Sequence, residues 1–230
     1  MTARHEVFLT GATGYMGSRL AAELLRRGHG VRALVRPGSE AKAPSGCEMV
    51  LGDALQADSY ASHIAPADTF VHLVGVAHPS PKKAAEFRNI DLKSCQEAAR
   101  AAKQAGIRHF VYLSVARPAP VMLEYQAARE EGERTVRESG LAATFVRPWY
   151  VLGPGHRWPV ALIPFYALAR LFPATRDGAN RLALVTIAQI TQSLAWAVEH
   201  PASGIRALEP PQIRQGFGLE ASPQRERASA

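Results

Sequence analysis

Three glycines spaced by threes, Gly11, Gly14 and Gly17, stand in the run Thr10-Gly11-Ala12-Thr13-Gly14-Tyr15-Met16-Gly17. Glycine takes the positive φ of a tight turn and lets backbone N–H groups come close to an anion. Such a loop, opening a helix, offers a pyrophosphate both unpaired amides and the positive end of the helix dipole. Gly11, Thr13, Gly14, Tyr15, Met16 and Gly17 are therefore candidate dinucleotide contacts, with an ordinary glycine-rich turn as the alternative. A second signal ends the next apolar run, Arg32-Ala33-Leu34-Val35-Arg36. An NAD-specific site usually places an acid there to accept from the ribose 2′-OH. Here the acid is missing, and the Arg36 guanidinium can fork onto a 2′-phosphate. The expectation is NADP(H) in preference to NAD(H), against the alternative of a solvated surface arginine.

Short apolar runs suited to buried parallel strands occur at 5–10, 31–36, 48–51, 69–74, 109–114 and 143–147. Amphipathic stretches at 15–27, 89–104 and 121–139 read as helices, with Gly28, Gly106 and Gly140 just past their ends as C-caps. Alternation of strand and helix implies right-handed crossovers and a parallel sheet covered on both faces. The expected fold class is α/β, a Rossmann-like doubly wound parallel sheet with a small C-terminal substrate cap. After Pro148 the pattern turns Pro-rich and aromatic, then gives a helix at 187–200 and a strand-like piece at 205–209. The expected domains are 1–150 for NAD(P) binding, 151–214 as the small cap and 215–230 as a polar, flexible tail.

Composition narrows the function classes. Of 230 residues, 47% are hydrophobic and 20% charged, a globular balance rather than a disordered one. Two cysteines, Cys47 and Cys95, are too few for a disulfide framework and favour a reducing compartment. The chain runs straight into Val7-Phe8-Leu9 without a secretory h-region. Its longest uncharged apolar stretch, 158–169, has 12 residues and contains Pro159 and Pro164, whereas a membrane span needs about 20. A cytoplasmic protein with no membrane span is expected. The net charge of +7 invites nucleic acid, but the basic residues are mixed with acids, as in Arg129-Glu130-Glu131-Gly132-Glu133-Arg134. Nucleic-acid binding is therefore not expected. The eight histidines show no metal-ligand spacing. The Glu130/Arg134 and Glu133/Arg137 pairs read as solvated i,i+4 contacts.

Four segments in order, 10–17, Leu51-Gly52-Asp53-Ala54, 106–114 and Val146-Arg147-Pro148, resemble the short-chain dehydrogenase/reductase superfamily in its atypical, NmrA-like branch. That branch holds NAD(P)H-binding oxidoreductases and the dinucleotide-binding accessory subunit of respiratory complex I. The resemblance implies that Asp53 and Ala54 touch the adenine, Asp53 also being suited to cap a helix. It implies that Leu73, Val74 and Gly75 lie over the cofactor ribose. Pro148, Trp149, Tyr150 and Val151 match the loop that covers the nicotinamide, with plain core packing as the alternative.

The superfamily's reactive set is Ser, Tyr and Lys, the last two as Y-x-x-x-K. The corresponding residues here are Ser114, Tyr125 and, in place of lysine, Arg129. Positions i and i+4 share a helix face, so Arg129 can reach the Tyr125 hydroxyl or the ribose. Ionising half of a phenol with pKa near 10 at pH 7 takes about 4 kcal/mol. A permanent cation helps, but arginine releases no proton, so charge support survives while a lysine-type relay is lost. Ser114 either hydrogen-bonds a substrate carbonyl or ends its strand. The implied activity is hydride transfer to or from an unidentified apolar carbonyl compound, the alternative being a non-catalytic NAD(P)H-binding sensor or scaffold. The aromatic stretch 158–168 is expected to wall or close the substrate pocket, with own-core packing and a subunit interface as alternatives. A homo-oligomer stays open.

Overall fold

The computed structural model describes residues 3–155, 168 and 171–216. Seven parallel strands form one sheet in the order β3-β2-β1-β4-β5-β6-β9. They are β1 (Glu6–Thr10), β2 (Gly30–Val35), β3 (Glu48–Leu51), β4 (Thr69–His72), β5 (His109–Leu113), β6 (Ala143–Val146) and β9 (Ile205–Leu208). Between them run α1 (Gly17–Arg26), a single turn α2 (Ala84–Glu86) continued by a π-helical stretch (Phe87–Leu92) into α3 (Lys93–Gln104), and α4 (Leu123–Glu138). Beyond β6 come a two-stranded parallel pair, β7 (Val151–Leu152) and β8 (Val185–Thr186), then α5 (Pro173–Arg181), α6 (Ile187–Glu199) and α7 (Pro210–Gln215). The architecture is the expected Rossmann-like doubly wound sheet.

Strand alternation sends side chains to two separate layers. Val7, Leu9, Val31, Val71 and Val111 pack with Leu20 and Leu24 of α1 and Ile190 and Leu194 of α6. On the opposite face Phe8, Phe70 and Phe110 form a row across neighbouring strands, with ring centroids 5.2 and 5.3 Å apart. Ala98, Ala99 and Ala102 of α3 lie over these rings, small side chains leaving the aromatics their volume. α6 opens on a capping box, Thr186 Oγ1 accepting from the Gln189 N–H and Gln189 Oε1 accepting from the Thr186 N–H.

Several boundaries differ from the pattern-based ones. α1 starts at Gly17, not residue 15, because the Gly14 N–H closes a turn onto Gly11 O. β4 stops at His72, and residues 73–74 already belong to the loop. α4 starts at Leu123, not residue 121: Met122 takes the left-handed conformation, φ +60°. The Gln126 carboxamide holds the preceding turn, accepting from the Ala119 N–H and donating to Ala119 O and Val121 O. The strand-like piece near residue 205 is β9, the seventh strand, paired with β6. α5 and the β7–β8 pair had no clear pattern in the sequence. The 158–168 stretch lies outside the described residues except for Leu168, which is exposed, and so does the tail from residue 217. No helix among the described residues is long and apolar enough to cross a membrane.

Candidate functional site

Strand order reverses between β1 and β4, the first three strands running to one side and the rest to the other. In open parallel sheets ligands bind in the crevice at that switch point, beyond the carboxyl ends of the strands. The loops after β1 and β4 meet there. Gly11 has φ +77°, and a Cβ on it would come within 2.9 Å of the Leu73 carbonyl carbon. A Cβ on Gly17 would collide with the Gly11 carbonyl oxygen, so helix and turn need glycine at both places. Gly14 differs: a Cβ there meets only Gly11 O, at 3.2 Å, so its openness serves the cleft rather than the packing. Among the described residues no side chain caps the α1 N-terminus, which leaves first-turn amides for an anion.

The cleft measures about 490 Å³ and collects most of the sequence-derived candidates. Gly11, Gly14, Tyr15, Met16 and Gly17 line it from the loop, Leu73 and Gly75 from beyond β4, and Pro148, Trp149, Tyr150 and Val151 from beyond β6. Ser114, Tyr125 and Arg129 line its other end. Thr13, Arg36, Asp53, Ala54 and Val74 are not part of this wall. Arg36 follows β2 directly, exposed, with no hydrogen-bond or ion-pair partner for its guanidinium among the described residues. Asp53 Oδ1 accepts from the Leu55 N–H at 2.9 Å, an Asx turn rather than the helix cap expected of it, because the next helical turn is preceded by Gln56. Val74 contributes its carbonyl to Arg129 Nη2 at 3.4 Å.

Tyr125 sits half-buried in the first turn of α4, its ring 5.1 Å from Phe87 of the π-helical stretch. The Arg129 guanidinium lies 5.3 Å from the Tyr125 ring centroid. Arg129 is almost wholly buried and tightly held: Nη1 donates to Leu113 O at 2.8 Å and Nη2 to Asp91 Oδ1 at 2.7 Å. Asp91 Oδ2 in turn accepts from the Val76 N–H at 2.9 Å. The pair thus ties β5, α4 and the loop after β4 together. Burial works against the guanidinium's charge, but Tyr125, Tyr112 and Asp91 hold its pKa above the ordinary value. Burial pushes the Asp91 carboxyl up, offset in part by Arg129 and the Val76 N–H. A Cβ on Gly75 would strike Arg129 Nη2, which is why that loop carries glycine. Arg129 Nε has no partner among the described residues.

Ser114, 2% exposed, follows β5 and donates its hydroxyl proton to Glu133 Oε1 at 2.6 Å. Glu133 corrects the expectation of a solvated Glu133/Arg137 contact. It is 1% exposed and anchors Arg147 through Nε at 2.8 Å and Nη2, Arg117 at 3.1 Å and Arg137 at 3.3 Å. Burial opposes its ionisation, yet Arg147 and Ser114 hold its pKa below the usual carboxylate range. Nor do Glu130 and Arg134 pair: Glu130 meets Arg117 at 3.3 Å, and Arg134 meets Glu131 at 3.0 Å. Sequence reasoning missed Glu133, Asp91, Met122 and the 76–79 wall. For Glu133 a signal existed, since Tyr125, Arg129 and Glu133 follow at i, i+4 and i+8 on one face of α4.

A doubly wound sheet with a glycine loop at its switch point is the architecture of dinucleotide-binding α/β proteins. The model of the NAD(P)H-binding family matches residues 11–157, and the chain belongs to that family. It is 28% identical over 205 residues to the ceramide reductase of Caulobacter vibrioides, covering 88% of this chain and 64% of that one. It is 33% identical over 159 residues to a divinyl chlorophyllide a 8-vinyl-reductase of Oryza sativa, covering 62% of this chain and 39% of that one. The chain thus spans less than two thirds of the length of either relative. In fold it resembles a short-chain dehydrogenase/reductase superfamily protein of Agrobacterium tumefaciens solved with bound NAD, with TM-score 0.65, 18% identity and coverage of 89% and 77%.

Proposed function

We propose that the chain is an NADPH-preferring oxidoreductase that transfers hydride between the cofactor and an apolar carbonyl-type substrate. The observation that carries this reading is Tyr125, whose side chain enters the cleft beside Ser114 with a fixed cation under its ring. The reductase names of both relatives point the same way. Under this reading the Gly11–Gly17 amides hold the pyrophosphate, Arg36 the 2′-phosphate, Asp53 and Ala54 the adenine, and Leu73, Val74 and Gly75 the ribose. Pro148, Tyr150 and Val151 flank the nicotinamide. Residues 1–150 carry the dinucleotide, 151–214 cap the substrate end, and the protein works in the cytoplasm.

A bound nicotinamide supplies or receives the hydride. Tyr125 hands its phenolic proton to the carbonyl oxygen, and the charge of Arg129 stabilises the phenolate left behind. Arg129 gives up no proton, so Tyr125 is reprotonated by solvent. Asp91 keeps Arg129 in register and the dry wall of Met122, Trp149 and Val115 limits water.

A second reading, a cofactor-binding sensor without turnover, is favoured by Arg129 being engaged with Asp91 and by the Ser114 proton being engaged with Glu133. Fluorescence titration with NADPH and NADH, followed by NADPH consumption over a panel of ketones and aldehydes, separates the two. Consumption of NADPH with at least one carbonyl is the expected result. Tight binding with none consumed supports the sensor.

A further inference from the structure

Ser114 has one hydroxyl proton, and its direction is settled by its neighbour. Glu133 is an ionised carboxylate among three arginines, able only to accept. The 2.6 Å contact therefore runs from Ser114 to Glu133. A charge-assisted bond of this length is about twice as strong as a neutral one. Turning the proton toward a substrate carbonyl would exchange it for a weaker bond. Ser114 lines the cleft, and with its proton committed to Glu133 its hydroxyl has only lone pairs left to offer. At the same end, the Tyr125 hydroxyl has no hydrogen-bond partner among the described residues and is the free donor.

We infer that Ser114 is a specificity-determining acceptor: the site selects carbonyl compounds that carry an N–H or O–H donor beside the carbonyl. Tyr125 serves the carbonyl oxygen and Ser114 reads the neighbouring donor. This assignment rests on the oxidoreductase reading for the carbonyl, while the donor preference follows from Ser114 and Glu133 alone. Plain ketones would leave Ser114 facing apolar atoms, and an acceptor in the donor's place would set lone pair against lone pair. A site built to pair a polar group rejects the analogue lacking it far more strongly than it rejects a change of size.

The test uses two probes of one shape, an alkyl α-acetamido ketone and the matching α-acetoxy ketone, in which an ester oxygen replaces the N–H. Their binding to the cofactor-saturated full chain is measured by calorimetry for wild type and Ser114→Ala. NADPH consumption with each probe is followed separately. Wild type is expected to bind the amide about ten-fold or more tightly than the ester, and Ser114→Ala to bring the two within about two-fold. Equal binding of both probes by wild type, binding of neither, or a preference that survives in folded Ser114→Ala overturns the inference. The wild-type comparison decides even if the variant does not fold. A donor preference in binding without NADPH consumption upholds Ser114 as the acceptor and removes the oxidoreductase reading. Consumption of both probes with equal affinity does the reverse.

Discussion

The two ends of the cleft are built from different materials. At the glycine loop the groups on offer are backbone amides, placed by the short turn between β1 and α1 and by the start of α1. At the Ser114–Tyr125 end they are side chains, held by partners far away in sequence. Arg129 meets Asp91 across 38 residues and Val74 across 55, and Glu133 meets Arg147 across 14. A backbone site tolerates change everywhere except at its glycines. A side-chain site depends on each ion pair, because removing one partner leaves a buried charge uncompensated.

The largest effects are expected where buried charge or backbone contact is broken. Arg129→Ala strands Asp91 and leaves the loop after β4 untied, and should cost about 3–5 kcal/mol, read by urea unfolding. A cost below 1 kcal/mol would mean that the pair does not tie the two ends. Gly17→Val places a side chain onto the Gly11 carbonyl and should abolish cooperative unfolding. Gly14→Val should leave the fold intact yet weaken dinucleotide binding by about a hundred-fold or more, since the new side chain occupies the anion's space. Unchanged cofactor affinity in folded Gly14→Val would reduce the loop to a structural turn.

Arg36→Ala comes next, with a loss of about ten- to a hundred-fold in NADPH affinity from a missing charged hydrogen bond. NADH affinity should stay within two-fold, and an equal loss for both would sink the 2′-phosphate assignment. The smallest effect is one of slope. Glu23 and Glu97 are held near pKa 2, in each case by arginine or lysine partners that outweigh burial, and Glu133 below the usual range. Depressed carboxylates contribute stability that is full above about pH 4.5 and fades as the pH falls through their folded values. Glu133→Gln should therefore show a shallower loss of stability than wild type as the pH falls below about 4.5, read from urea midpoints. Parallel curves would mean that Glu133 does not titrate in that window.

This contrast also explains what the sequence disclosed. The glycine triplet, the strand–helix alternation and the Tyr125–Arg129 spacing are local patterns, and each occupies the expected part of the fold. The missing pieces are long-range. Nothing in the neighbourhood of Asp91 marks it as the anchor of Arg129, and Glu133 resembles its solvated neighbours on α4 until Arg147 closes over it. β9 looked like part of a cap because a four-residue edge strand shows little alternation. Met122 gives no warning of its left-handed backbone, which follows from the Gln126 contacts to 119–121.

Tyr125 as the proton donor is the residue on which turnover at this site depends. The decisive measurement is NADPH consumption by Tyr125→Phe and wild type on the best carbonyl substrate of the panel, with cofactor affinity determined in parallel. Loss of a general acid is expected to lower turnover by about 10²–10⁴-fold, while the NADPH Kd stays within two-fold because the glycine loop is untouched. Equal turnover in both proteins would contradict the account.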